Sequence, residues 1–334
     1  MTKVLWLGRP FLANFFSAIQ GVQVVHIAGP QDARLLEEHR DATFILAMNA
    51  DNEEQAWRND ILAQAGALGI PRCFWNIEDP NGYQYFVQNL AQPVYDFVFT
   101  TDRHCIQRYM TQSYHYHSPP PFKVLWLPLA ACPTYHVPVP LAPDAADLVL
   151  VAQDYLYWPA RRAAADHMVK PLLQHGFSLK LFCPEDGWVR EPEIRACRVG
   201  GENYTENCAQ HYAHGRVALA LNCQCGNGLE PRHFANTSMT SMRTFEVLAC
   251  GKAMLAFPST AYEQLGFRNG EHFLWELGHV NTVLAAKKLL GDEGFRNQLA
   301  EQGRQFVFQH HTYQHRLERI LRAIAGEANP TEWQ

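Results

Sequence analysis

Short apolar runs recur through the first 130 residues without strict alternation of apolar and polar positions: Lys3–Leu7 (KVLWL), Val22–Ala28, Thr43–Ala47, Arg72–Ile77, Asp96–Thr100 and Lys123–Leu127. Runs of this length that are apolar on both faces predict strands of a parallel sheet. Helix-like segments separate them, over Pro10–Gln20, Asp32–Glu38, Glu53–Ala67, Gln84–Leu90 and Arg103–Met110. Strands alternating with helices imply βαβ units and right-handed crossovers. A second series follows, with strands over Leu148–Ala152, Ser178–Phe182, Val217–Asn222 and Ala253–Phe257, and helices over Ala160–Gln174, Tyr204–His214 and Ser241–Cys250. The chain ends in helical patterns over Val280–Leu290, Phe295–Phe308 and Tyr313–Ala325.

Between the two series lie Pro133, Pro138, Pro140 and Pro143. Proline fixes φ and removes a backbone donor, so this run is neither helix nor central strand. It predicts a semi-rigid hinge. The expected division is residues 1–132, a hinge at 133–147, residues 148–310, and a C-terminal helix and tail at 311–334. Two open parallel sheets joined this way place a ligand crevice at the carboxyl ends of the strands, between the domains.

The 334 residues are 47% hydrophobic and 18% charged, which suits globular domains large enough to bury their own cores. A net charge of −5 gives no global case for a nucleic-acid or anionic-membrane partner. No stretch approaches the ~20 apolar residues that span a bilayer, so a cytoplasmic protein is expected. Nine cysteines, odd in number and irregularly spaced, are no disulfide framework. Cys223 and Cys225 form the one tight pair, and a metal held there with Cys208 or His214 would lack the matching second pair of a structural zinc site. His115/His117 and His310/His311 lack metal-ligand spacing. No metal site and no cofactor are expected.

The chemistry concentrates in Thr237–Phe257. Ser238, Thr240 and Ser241 offer helix-capping hydroxyls, Met242, Phe245, Leu248 and Ala249 form an apolar stripe, and Gly251 suits a C-terminal left-handed turn. The first turn, from Ser241 through Met242, Arg243 and Thr244, offers backbone N–H groups, a helix dipole and a guanidinium to a diphosphate. Glu246, one turn on, suits the two hydroxyls of a ribose. The competing reading is an exposed Arg243–Glu246 ion pair on an ordinary helix.

The run from Arg243 to Gly251 (RTFEVLACG), followed by a strand, resembles the donor-binding region of GT-B glycosyltransferases. It looks most like the CgeB-like family, which includes spore-maturation glycosyltransferase-like proteins. Four further pieces fall in that family's order: Trp75–Pro80 (WNIEDP), Phe97–Asp102 (FVFTTD) with Tyr109, Leu127–Ala130 (LPLA), and His311–Tyr313 with Arg316. The likeness spans about residues 70 to 320, and the first 70 residues match in pattern only. It implies two Rossmann-like domains, the first for the acceptor and the second for the nucleotide-sugar, with C-terminal helices packing back on the first. Two departures stand out. Ser238 occupies the place of the first of two glutamates spaced eight apart in many retaining enzymes, and Cys132 stands where an Asp usually precedes Pro.

The resemblance makes Glu78 and Asp79 candidates for a general base or an acceptor anchor. A plain turn, with Asp79 bonded to the following amides, is the alternative. Gly8 and Arg9 close the first strand as a loop near the ligand. Arg161 and Arg162 begin a helix from which one reaches the diphosphate, and Tyr204 with Asn203 lies near the base. No DxD-type motif appears at a strand end, so metal-independent binding of a nucleoside diphosphate sugar is expected. The acceptor stays open among glycan, protein, small molecule and nucleic acid. The alternatives are a non-catalytic assembly or maturation protein on the same fold, and a nucleic-acid-modifying transferase.

Overall fold

The computed structural model describes residues 1–10, 12–49, 52–79, 94–111, 121–152, 164–183, 191–200, 207–221 and 239–331. The chain divides into two compact units, Met1–Pro128 with Tyr313–Gln334, and Leu129–Thr312.

The first unit is built on six strands: β1 (Thr2–Leu7), β2 (Val22–Ile27), β3 (Phe44–Met48), β4 (Arg72–Asn76), β5 (Phe97–Thr100) and β6 (Lys123–Trp126). All pair in parallel, in the order β2-β1-β3-β4-β5-β6. Val4 of β1 stands opposite both Val24 and Phe44, which puts the first strand inside the sheet. Every residue of β3 and β5 is buried, as their unbroken apolar runs require. The connecting helices are α1 (Ala13–Ser17), α2 (Arg34–Glu38), α3 (Asn52–Ala67) and α4 (Cys105–Thr111). Trp6, Trp75 and Trp126 are fully buried, and each indole N–H donates to a carbonyl, of Arg9, Leu127 and Thr101 respectively. Burying that much aromatic surface is favourable only because the polar end of each ring is satisfied.

The second unit holds β7 (Ala146–Val151), β8 (Leu179–Phe182), β9 (Gly215–Ala220), β10 (Met254–Ala256) and β11 (Leu274–Trp275), parallel and ordered β11-β10-β9-β7-β8. Its helices are α5 (Lys170–Gln174), entered through a π-helical turn at Ala165–Val169, then α6 (Pro192–Arg195), α7 (Cys208–Tyr212) and α8 (Met242–Ala249). They are followed by α9 (Thr260–Gln264), α10 (His279–Gly291) and α11 (Glu293–His310). One face of the sheet, with Leu148, Leu150, Leu181 and Leu219, packs on Met168, Leu172, Ala286 and Leu289. Gly303 sets how closely α11 lies on α8, since a Cβ there would stand 2.5 Å from the His272 carbonyl and 2.8 Å from Leu248 Cδ2.

The proline-rich run belongs to this second unit. Ala142 and Ala146 donate to the carbonyls of Ala213 and His214, at 2.9 Å each. At its start His136 N donates to Cys132 O (2.8 Å), and Cys132 N donates to His136 Nδ1 (3.0 Å).

The closing helix, α12 (Tyr313–Ile324), returns to the first unit. The Tyr313 ring lies 4.9 Å from that of Phe15. Arg316 Nε donates to Pro128 O (2.7 Å) and Arg319 Nε to Trp126 O (2.9 Å), so two buried arginines tie α12 to the end of β6. Burial holds the Arg316 pKa well below the usual guanidinium range.

The two-sheet reading of the sequence therefore holds, with strand ends displaced by one or two residues. Strand β11 and helix α9 have no counterpart in the sequence reading, because two and five residues are too few to show a period. The expected helix at Gln84–Leu90 lies outside the described residues. Among the described residues no helix is long and apolar enough to cross a membrane.

Candidate functional site

In the second unit the site is built on the amino end of α8. Ser259, just past β10, donates its hydroxyl to Met239 O (3.2 Å), which holds the approach to α8 beside the carboxyl end of that strand. Ser241 is the N-cap, its side chain accepting from Arg243 N at 3.3 Å. Cys250 closes the helix, and Gly251 at φ +66° turns the chain out, a conformation in which a side chain would be strained. Seven of the eight helical residues are buried, Arg243 and Glu246 among them.

The Arg243–Glu246 pair exists, but it is not the exposed pair of an ordinary surface helix. Arg243 Nη1 lies 2.6 Å from Glu246 Oε2, with side-chain exposures of 10% and 0%. Tyr212 of α7 donates to the same oxygen at 3.3 Å. Burial alone lowers the Arg243 pKa; the nearby Glu246, Tyr212 and Cys208 more than offset it, and the guanidinium ends above its ordinary value. Tyr212 is held well above the usual phenol range, first by burial and then by the Glu246 charge.

The other carboxylate oxygen is different. Glu246 Oε1 is buried and has no hydrogen-bond partner among the described residues, and the same is true of Thr240 Oγ1 and Thr244 Oγ1. Orphaned buried acceptors are rare in native proteins and cost about 1–3 kcal/mol each. Three of them lie within one stretch of seven residues at a helix start, together with a buried cation. The arrangement presents a carboxylate, hydroxyls, a guanidinium and helix N–H groups to a polar, anionic ligand.

In the first unit the turn after β4 holds Glu78 exposed and Asp79 fully buried. Asp79 is saturated by side chains, not by the following amides of a plain turn. Asn76 Nδ2 donates to Oδ1 at 2.8 Å, while the hydroxyls of Thr100 and Tyr109 donate to Oδ2 at 2.6 and 2.9 Å. Burial raises the Asp79 pKa to about 7; the Thr100 and Tyr109 bonds pull it down, and the Asp102 charge raises it further. Three elements, β4, β5 and α4, thus meet at one carboxyl group whose proton titrates near neutrality.

Gly8 adopts φ +93° at the end of β1, and its carbonyl bonds to His26 Nε2. The close approach that a glycine permits is made here by the protein itself. A Cβ on Gly8 would fall 1.7 Å from Arg58 Nη2. Arg58 is buried, donating to Met48 O (2.7 Å) and Glu54 Oε2 (2.8 Å). Arg9 is mostly exposed and lies 3.8 Å from Glu54.

Of the residues singled out in the sequence, Ser241, Met242, Arg243, Thr244 and Glu246 share one helix start in the second unit. Glu78, Asp79, Gly8 and Arg9 belong to the first. Arg161, Arg162, Tyr204 and Ser238 lie outside the described residues. The sequence reading missed Tyr212, Tyr109 as a partner of Asp79, and Arg58. A signal existed for Arg58, which heads the buried stripe Arg58, Ile61, Leu62, Ala65 at helical spacing.

Two parallel α/β sheets in two units, with a polar helix start at a strand end of the second, form the GT-B architecture, and solved structures of that kind match nearly the whole chain. The chain is similar to Anabaena Alr3699/HepE, solved with UDP-glucose, at TM-score 0.61 and 11% identity, covering 98% of this chain and 100% of that one. It is similar to an alpha-glucosyltransferase solved with UDP-glucose and DNA containing an abasic site (TM-score 0.65, 10% identity, 97% and 99% covered). A third likeness is to the lipopolysaccharide outer core galactosyltransferase WaaB (TM-score 0.55, 10% identity, 98% and 100% covered). At these identities the likeness carries the fold alone. Residues 161–322 match the family described as glycosyl transferase-like. No curated protein matches the chain. The fold is thus of the GT-B type, the family match covers just under half of the chain, and neither identifies an acceptor.

Proposed function

We propose that the chain takes a nucleoside diphosphate sugar at the amino end of α8 and transfers the sugar to an acceptor nucleophile. The observation that carries this is the orphaned Glu246 Oε1, in the same helix start as the Thr240 and Thr244 hydroxyls, which also have no partner among the described residues. A ribose supplies hydroxyl donors to that oxygen, and the diphosphate takes the helix N–H groups and Arg243. Negative charge develops on the leaving diphosphate during transfer, and a guanidinium already fixed by Glu246 stabilises it without reorganising. In this reading donor binding needs no metal. Arg161, Arg162 and Tyr204 are proposed further donor contacts from their place in the sequence.

The acceptor falls to the first unit, with exposed Glu78 as the carboxylate that meets it. Asp79 is the positioning group beneath it, fixing the turn that carries Glu78 through the bonds it accepts from Asn76, Thr100 and Tyr109. The order of the WNIEDP, FVFTTD, LPLA and HTY pieces supports placement in the CgeB-like branch. A cytoplasmic setting is in keeping with seven described cysteines that are all free.

UDP is the first nucleotide to test, because the similar Alr3699/HepE and alpha-glucosyltransferase structures contain UDP-glucose. Glu246→Gln keeps the shape and an acceptor for Tyr212 but loses the charge. Titration calorimetry should show it weakening nucleotide binding by roughly 1.5–3 kcal/mol, with wild-type affinity unchanged by EDTA. Equal affinities in wild type and Glu246→Gln would remove the ribose from α8, and an affinity lost in EDTA would end the metal-free reading.

A further inference from the structure

At the end of α9 the second unit carries a cavity of about 520 Å³, lined by Glu263, Gly266, Phe267, Arg268, Asn269 and Trp275. It lies at the opposite end of α9 from Ser259, the residue that holds the approach to α8. We infer that this cavity binds a neutral saccharide, as a carbohydrate site separate from the amino end of α8.

Trp275 is the first argument. Trp6, Trp75 and Trp126 are fully buried, and each donates its indole N–H to a carbonyl. Trp275 is half-buried on the cavity wall, and its indole N–H has no partner among the described residues. Its ring is held by those of Tyr262 and Phe273, at 5.2 and 5.0 Å. A fixed aromatic ring with a donor to spare suits a pyranose, whose C–H face stacks on the ring while its hydroxyls bond at the edge. Glu263 is the second argument. It is exposed, its side chain has no partner among the described residues, and a carboxylate accepts from sugar hydroxyls. Charge is the third, and it selects among ligands. Arg268, the one cation among these lining residues, already lies 3.1 Å from Glu271 Oε2. A phosphate would find that cation taken and Glu263 repelling it, whereas an uncharged polyol meets neither obstacle.

The wall is ordered in advance. Between α9 and β11, Phe267 N donates to Tyr262 O (2.9 Å), Gly270 N to Phe273 O (2.9 Å) and Arg268 N to His272 Nδ1 (3.0 Å). Asn269 Nδ2 donates to Trp275 O at 2.9 Å, and its Oδ1 accepts from Trp275 N at 3.1 Å. Because β11 is the edge strand of its sheet, those two bonds also close Trp275 to an added strand. Beneath the wall, the Phe267 ring packs on Phe306 and Phe273 at 5.0 and 5.3 Å. A ligand that meets ordered groups gives up less conformational entropy on binding. The volume falls within the ~300–1,000 Å³ of small-molecule pockets. In the transfer proposed above, a second carbohydrate site holds a glycan, which favours glycan among the acceptor classes. That consequence rests on the proposed transfer; the binding itself does not.

The probes are maltotriose, cellotriose and chitotriose, each read by saturation-transfer NMR on the full-length chain, first without nucleotide and then with UDP. The expected result is saturation transfer to at least one of the three, undiminished by UDP, whose own resonances report the donor site separately. Trp275→Ala should abolish the sugar signal. Because that change also removes a packed ring, Glu263→Gln, a substitution at an exposed position, is the second variant. It should weaken the sugar by about threefold or more, with the far-ultraviolet circular dichroism unchanged. No transfer to any of the three sugars overturns the site. So does a sugar signal that UDP displaces, that survives Trp275→Ala, or that Glu263→Gln leaves unmoved. Sugar binding in a protein that ignores UDP would remove the donor from α8 and leave this site standing.

Discussion

Each unit buries one carboxylate at the end of a secondary-structure element, and the two are treated oppositely. Asp79 in the first unit receives hydrogen bonds on both oxygens, from Asn76, Thr100 and Tyr109. Glu246 in the second is paired on Oε2 alone, by Arg243 and Tyr212, while Oε1 has no partner among the described residues. A saturated buried carboxylate serves the protein that surrounds it: it joins β4, β5 and α4. A carboxylate left half-satisfied beside a fixed cation is, in the function proposed above, the group that meets the donor. Of the two buried acids, one is framework and the other has an oxygen to spare. Burial alone does not separate them; the hydrogen-bond accounting does.

The largest effect is expected from removing the cation beside Glu246. Arg243→Met should destabilise the fold by about 3–5 kcal/mol in urea denaturation, because it strands a buried charge. Adding Glu246→Leu should recover most of that loss while donor binding stays absent. If the single variant loses under about 1 kcal/mol, the pair is solvated in solution and Glu246 no longer contrasts with Asp79.

Next in size is the pH dependence of Asp79. The folded state keeps its proton up to about pH 7, while the unfolded chain releases it near 3.8. The Asp79 contribution to stability therefore falls as pH rises between those values and is flat above them, by roughly 3–5 kcal/mol in all. Asp79→Asn should abolish that slope. Denaturation midpoints taken from pH 4 to 8 for both proteins check it, and parallel curves would place the Asp79 pKa outside this window.

A smaller effect tests whether Gly8 serves the protein or a ligand. Gly8→Ala meets Arg58 and places a side chain at φ +93°, so a loss of about 2 kcal/mol is expected. The further variant Arg58→Met relieves the overlap but not the backbone strain. An undiminished stability in Gly8→Ala would mean that neither the Arg58 overlap nor the positive φ constrains this position.

The smallest change sets the baseline. Arg268 and Glu271 form a pair at 3.1 Å in which both side chains are exposed. Arg268→Ala should shift stability by under about 1 kcal/mol, and that shift should vanish in high salt. It is the behaviour once open to Arg243–Glu246, now displayed by a pair that is on the surface.

Much of this was legible in the sequence, for a physical reason. Strands buried on both faces have to be largely apolar, so KVLWL, TFILA and DFVFT declare themselves without any knowledge of their neighbours. A helix start has to be capped, so Ser241 and the Arg243–Glu246 spacing were readable as one unit of chemistry. The hinge is another matter. Four prolines show that a segment is irregular, but only its hydrogen bonds to Ala213 and His214 show that it packs with the second unit.

What the sequence determined by itself is local: the two series of βαβ elements, the amino end of α8, and the candidate residues on it. Only the tertiary structure decided which polar groups were left over. Asp79, between Glu78 and Pro80, and Glu246, between Phe245 and Val247, give no sign in sequence of which is saturated. Tyr109 and Thr100 lie 30 and 21 residues from the first, and Tyr212 lies 34 from the second. No periodicity spans such separations. Whether a buried oxygen is satisfied depends on what folding brings within about 3 Å of it, and that depends on the whole chain at once.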